Sequence, residues 1–190
     1  MIEVFKTAAA VQQTCLDARW KFCFIGGIAL QRWGEPRFTD YVDLTLLTGF
    51  GKEEAYIEAF LKHYDARVDE AAEFALKNRV LLLRSATGVG IDVALGGLPF
   101  EAQMMERATC FMFPPDVQLL TCSAEDLIVM KCFADRGQDW IDVDRVIVRQ
   151  GERLDWEYIY KNLRELLILK EAPEILDRLK KLRAEREANP

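Results

Sequence analysis

Two aspartates, a pair of glycines and one lysine carry most of the chemistry legible in this chain. Asp43 sits in Tyr41-Val42-Asp43-Leu44-Thr45-Leu46-Leu47, a run that reads as a strand. In a strand side chains alternate, so Tyr41, Asp43 and Thr45 share one face while Val42, Leu44 and Leu46 share the other. Upstream, the apolar run 22–25 ends at Gly26-Gly27. Paired glycines after a buried strand let the backbone approach a ligand closely and let amide N–H groups point at an anion, with help from the N-terminus of a following helix. A phosphate held beside a carboxylate implies a bridging divalent cation. Asp92, flanked by Ile91 and Val93, is the second carboxylate. Buried, it requires a partner or a metal; on an edge strand it would simply face water. Lys131, set among Leu127, Ile128, Met130 and Phe133, requires an anionic partner unless it snorkels to solvent. Arg136 with Asp139 or Asp142 reads equally as part of a site or as a structural ion pair.

The elements that position these residues follow from periodicity and punctuation. Strand 22–25, the glycine turn, helix 28–33, a break at Gly34 and Pro36 and strand 41–47 form one continuous unit. An amphipathic helix is expected over 3–19, with Val4, Phe5, Ala8, Val11, Cys15 and Leu16 at helical spacing, and another over 52–63. His63, at the end of the second, reads as a capping or surface residue. Residues 79–84 and 89–95 form a hairpin across Thr87-Gly88. A short helix to about Arg107 and short strands at 111–113 and 117–120 complete a mixed sheet of about five strands. At Ser123 the pattern changes: an N-cap serine with Glu125 and Asp126 in the first turn opens helices at 124–135, 139–149, 155–168 and 173–187. The expected organisation is a core over 1–122 and a helical subdomain over 123–190. The basic amphipathic tail from Arg178 reads as a solvated helix face or a docking surface, with residues 188–190 frayed.

Composition narrows the function classes. Among 190 residues, 51% are hydrophobic and 29% charged, ordinary values for a globular chain, and the net charge is −6. That balance argues against a broad nucleic-acid-coating surface. A local groove from Lys21, Arg32, Arg37 and Arg79 is still compatible with it. Five scattered cysteines without a Cys-x-x-Cys pair and a single histidine argue against zinc and fit a reducing compartment. No apolar run approaches the length of a membrane span and no signal peptide opens the chain, so a soluble cytoplasmic protein without membrane attachment is expected.

The Gly-Gly turn, the following helix and the aspartate-bearing strand together resemble the nucleotidyltransferase superfamily, and in particular its AbiEii-like and minimal members. Those carry Arg-x-Thr-x-Asp-h-Asp-h, with h apolar, where this chain has Arg37-Phe38-Thr39-Asp40-Tyr41-Val42-Asp43-Leu44. The first metal-binding aspartate of the pattern falls on Tyr41. Asp40 is three residues from Asp43, on the opposite face of an extended strand, and a local bulge would be needed to bring it round. The block from Glu125 through Lys131, Arg136 and Asp139 to Asp142 is similar to the AbiEii-like helical motif.

The resemblance implies an α/β (α+β) nucleotidyltransferase-like mixed sheet with flanking helices and a C-terminal helical subdomain. It implies Mg²⁺-dependent transfer of a nucleoside monophosphate from a nucleoside triphosphate, ATP among the candidates, to a hydroxyl acceptor. Asp43 and Asp92 would be metal ligands. Gly26, Gly27, Arg37, Thr39 and Lys131 would hold the nucleotide, and Arg136 and Asp139 would line or brace the site. Two Mg²⁺ ions are expected in an intact site, and Tyr41 removes one carboxylate, so activity is expected to be lost or impaired. The acceptor implied is a tRNA end or a protein, with an antitoxin as partner if the chain is the toxin of such a pair. A nucleotide- or partner-binding pseudoenzyme and an active transferase on a small molecule or protein are the alternatives.

Overall fold

The strand that carries Asp43 has few polar positions, and burial explains them. In the computed structural model, which describes residues 2–188, β2 (Tyr41–Leu47) lies near the middle of a seven-stranded sheet. Val42, Leu44 and Leu46 are fully buried on one face. Its neighbours are β1 (Phe22–Phe24), paired antiparallel, and β5 (Gly90–Gly96), paired parallel. Central strands flanked on both sides must supply hydrophobic residues almost continuously, as these do. β4 (Val80–Arg84) forms the expected hairpin with β5, and Gly88, at φ +87°, makes the turn. β7 (Val117–Thr121) pairs parallel with β1, and β6 (Thr109–Phe113) closes that edge.

The sheet has seven strands where about five were expected; β6 and β7 join it as anticipated, and the strand not anticipated is β3 (Asp65–Ala66), which adds the opposite edge beside β4. Two residues are too few for an alternation to be visible in sequence. A helix not anticipated, α4 (Ala71–Asn78), follows β3; it buries only Ala71 and Ala75, so its hydrophobic signal is weak. It lies between Glu70 and Arg79, both left-handed. With α1 (Ile2–Asp17), α2 (Gly26–Trp33), α3 (Glu53–Leu61) and α5 (Pro99–Arg107), the remaining elements of this half match the expected ones within a residue or two. α1 buries Val4, Phe5, Ala8, Val11 and Cys15, the helical stripe read from the sequence. These join the sheet residues in one core that includes Phe22, Phe24, Leu81, Leu83, Ile91 and Val93.

From Ser123 onward the described chain is helical: α6 (Ala124–Ala134), α7 (Gly137–Gln150), α8 (Trp156–Lys170) and α9 (Glu174–Ala188). Ser123 caps α6 through its hydroxyl, which accepts the Asp126 N–H at 3.1 Å and donates to the Asp126 carboxylate at 2.7 Å. Two compact units result. One comprises 1–28 and 38–122, the other 29–37 and 123–190. The switch at 122/123 lies where the sequence changes character, whereas residues 29–37 cluster with the helices. The basic tail is folded against its own unit: Arg178 lies 4.1 Å from the Trp140 ring centroid, Arg183 4.6 Å from that of Trp156, and Arg186 pairs with Asp144 at 2.6 and 2.8 Å. Ala188 ends α9, and the fraying expected of Asn189 and Pro190 lies outside the described residues.

Candidate functional site

Strand register decides which carboxylates meet. β2 and β5 pair in parallel without a break from Tyr41↔Gly90 to Leu47↔Gly96, and Asp43 is opposite Asp92. Paired residues of adjacent strands point to the same face and lie about 4.8 Å apart in the backbone. The two aspartates are thus neighbours on one face, both half-buried, with Tyr41 two residues along β2 on that same face. The unbroken register also leaves Asp40 outside the strand and exposed; no bulge turns it toward Asp43.

The glycine turn is built around Asp43. Gly26 has φ +53°, and a Cβ there would collide with the Asp43 carboxylate. The Gly27 N–H donates to Asp43 Oδ2 at 3.3 Å, and a Cβ on Gly27 would lie 2.8 Å from Thr39 Oγ1. Both glycines are required by close approach, and the ligand that the Gly27 amide faces is the chain's own carboxylate. Thr39 is buried and its hydroxyl accepts the Tyr41 N–H and donates to the Tyr41 carbonyl, each at 3.3 Å, which fixes the entry into β2.

A residue absent from the sequence reading completes this face. The Arg67 N–H donates to the Leu82 carbonyl at 3.0 Å, and Leu82 is opposite Asp92. Arg67, Leu82, Asp92 and Asp43 therefore form one row across four strands' width. The Arg67 side chain reaches over Leu82 to an ion pair with Asp92, and its guanidinium carbon lies 5.1 Å from the Tyr41 ring centroid. Gly90, opposite Tyr41, leaves the space that the phenol ring fills. Burial pushes the Asp92 carboxyl up, and the Arg67 charge and hydrogen bond offset this only in part. No sequence signal marks Arg67, since it lies in a short loop beside a two-residue strand.

The metal expectation can be tested on this donor set. Two carboxylates in register suit one Mg²⁺, an ion commonly held by one or two carboxylates plus substrate phosphates. A second ion lacks its carboxylate, because Tyr41 is a phenol, and among the described residues no group of three or more acidic, histidine or cysteine side chains converges.

The helical unit holds a second cluster of charged residues. Lys131 on α6 is nearly buried, and its Nζ donates to Asp139 Oδ1 at 3.0 Å and Asp142 Oδ2 at 2.7 Å, both on α7. Arg136 donates to the other Asp139 oxygen at 2.7 Å. Arg37, within the motif expected to hold nucleotide, donates to both Asp142 oxygens at 3.2 and 3.1 Å, and Gln138 adds a bond at 3.1 Å. Burial alone would raise the Asp142 carboxyl, but the hydrogen bonds from Lys131 and Arg37 outweigh it and hold this group below the ordinary carboxylate range. Lys131 has thus found its anionic partners inside the protein. Of the four residues considered for a basic groove, Arg37 is engaged here and Arg79 pairs with Glu53 and the Leu95 carbonyl. His63 is exposed beside Tyr64.

Comparison with known proteins bears on what such a face does. Residues 16–187 match the family described as nucleotidyl transferase AbiEii toxin, type IV toxin–antitoxin system. No curated protein matches the chain. Among solved structures, an antigenic nucleotidyltransferase-like protein from Paracoccidioides brasiliensis is similar over 93% of each chain, at 15% identity and a TM-score of 0.51. The lincomycin-bound lincosamide antibiotic adenylyltransferase LnuA is similar over 72% of this chain and 92% of that one, at 11% identity and a TM-score of 0.48. The first of these likenesses agrees with the nucleotidyltransferase-like α/β fold expected from the sequence.

Proposed function

Because the chain belongs to the AbiEii nucleotidyl transferase toxin family, we propose that its reaction is transfer of a nucleoside monophosphate from a nucleoside triphosphate to a hydroxyl group. The observation that carries this reading is the in-register pair Asp43 and Asp92 on parallel strands beside the Gly26-Gly27 turn. A single divalent cation held by Asp43 and Asp92 would neutralise phosphate charge and polarise the α-phosphate. Asp43, fixed by the Gly27 amide, would hold that cation on the strand face, and through the cation the reacting phosphate. The acceptor hydroxyl oxygen bonds to the α-phosphorus and gives its proton to water, the bond from the α-phosphorus to the α–β bridging oxygen breaks, and pyrophosphate leaves with that electron pair.

Tyr41 leaves this face one carboxylate short of the family pattern, so we infer that the chain as it stands transfers slowly or not at all. The rest of the motif supports an enzyme carrying one lesion: Gly26, Gly27, Asp43 and Asp92 are all in place, and an abandoned site would be expected to have lost more. The family's toxin–antitoxin association supports an antitoxin partner, and a tRNA end is the acceptor we favour over a protein or a small molecule.

The test is a Mg²⁺-dependent transfer assay with α-labelled nucleoside triphosphates, supplied with total RNA or protein extract, on the parent chain and on Tyr41→Asp. Label is expected to enter RNA with Tyr41→Asp and to fall by about 100-fold or more in the parent. Label entering protein would reassign the acceptor. If neither chain transfers label and both bind nucleotide, a binding protein replaces the enzyme.

A further inference from the structure

The strand face already contains a cation of its own. We propose that Arg67 is the resting counter-ion of the site, holding Asp92 until a divalent cation displaces it, so that metal binding requires Arg67 to withdraw. This rests on the assignment of Asp43 and Asp92 as the cation ligands.

Three observations carry it. First, Arg67 is placed by the backbone: its N–H is bonded to the Leu82 carbonyl, opposite Asp92, so its side chain crosses one strand and ends on the carboxylate a metal would need. Second, Tyr41 supplies what an aspartate could not, an aromatic face for the guanidinium 5.1 Å away. The departure at position 41 and the arginine thus form one arrangement: it removes one negative charge from the face and adds a positive one. Third, the pose is incompletely satisfied. Arg67 Nε is buried and finds no hydrogen-bond partner among the described residues, while the side chain as a whole is 17% exposed. An orphaned donor weakens the hold on Asp92 and keeps the guanidinium exchangeable. A guanidinium and a divalent cation on one carboxylate repel each other, so each weakens the other's binding.

The experiment is calorimetric titration of the full-length protein with Mn²⁺ alone, for the parent, Arg67→Met and Asp92→Asn, each checked for a cooperative melt. Arg67→Met keeps an apolar stem against the Tyr41 ring and is expected to bind Mn²⁺ at least about tenfold more tightly than the parent. In the parent, the Arg67 Nε–H resonance, assigned through its own backbone, is expected to shift with Mg²⁺ at the midpoint of binding; this decides the matter if Arg67→Met fails to fold. Equal or weaker Mn²⁺ binding by folded Arg67→Met, or a resonance unmoved at Mg²⁺ saturation, overturns the proposal. An Asp92→Asn protein that binds Mn²⁺ like the parent overturns the ligand assignment as well. If Asp92→Asn alone loses binding and Arg67→Met equals the parent, only the Arg67 proposal falls.

Discussion

Gly26 and Asp43 constrain each other: the left-handed backbone at Gly26 admits no side chain cheaply, and the space its Cβ would take belongs to the Asp43 carboxylate. Gly88 provides the control, since it too has a left-handed φ but nothing within 4 Å of the Cβ position. Gly88→Ala is expected to cost about 1 kcal/mol, the backbone term alone, and Gly26→Ala about 3 kcal/mol, because the collision adds to it. Urea unfolding midpoints at constant slope measure both; equal losses would mean that Asp43 moves aside freely. The sequence marked Gly26 and Gly27 as places of close approach and Gly88 as a turn, but it could not say that the neighbour of Gly26 is Asp43, because that contact joins the start of α2 to a separate strand.

Between α6 and α7 lies a buried ionic contact. Lys131 is bonded to Asp139 and Asp142, and Asp142, fully buried, also receives Arg37. Lys131→Met takes the shared cation from two buried carboxylates, leaving Asp139 only Arg136 and Asp142 only Arg37 as cationic partners among the described residues, and is expected to destabilise the fold by about 3 kcal/mol. The pH dependence follows from Asp142, whose folded carboxyl titrates below its unfolded value. Its contribution is present above the ordinary aspartate pKa of about 4 and is lost as the pH falls through the folded value. The stability gap between parent and Asp142→Asn should accordingly be widest near pH 7 and close toward pH 3 in thermal melts. A gap that stays constant would show that the carboxylate charge is not what matters. The spacing of Asp139 and Asp142 on one helix face was legible from sequence; that Lys131 lies between them and not at solvent depends on how α6 and α7 pack.

Across the whole chain, the features that suggested outward-facing chemistry are largely engaged within their own units. Arg178, Arg183 and Arg186 of the tail contact Trp140, Trp156 and Asp144, and among the described residues no helix is long and apolar enough to cross a membrane. The cysteines give a direct check on this picture of the whole molecule. None of the five forms a disulfide, but only Cys110, on the edge strand β6, is exposed, and burial pushes the Cys15 thiol up to about 12. One thiol of the five should react rapidly with a soluble alkylating reagent at neutral pH and the others only on unfolding. Mass spectrometry of the labelled native protein would expose an error if Cys132 or Cys15 were modified first.

What the sequence alone determined is whatever depends on neighbours along the chain. Alternation fixed β2, turn chemistry at Thr87-Gly88 fixed the β4–β5 hairpin, and the Ser123 cap with its acidic first turn fixed where the helices begin. These are local preferences, and they survive without knowledge of the fold. Only the tertiary structure decided that Asp43 faces Asp92, that residues 29–37 cluster with the helical unit, and that Arg67 reaches the strand face. Register between distant strands is set by which face each must bury, and a slip of one residue would send every side chain to the other side. That long-range constraint leaves no local trace, so the Arg67–Asp92 ion pair could be found only once the strands were in place.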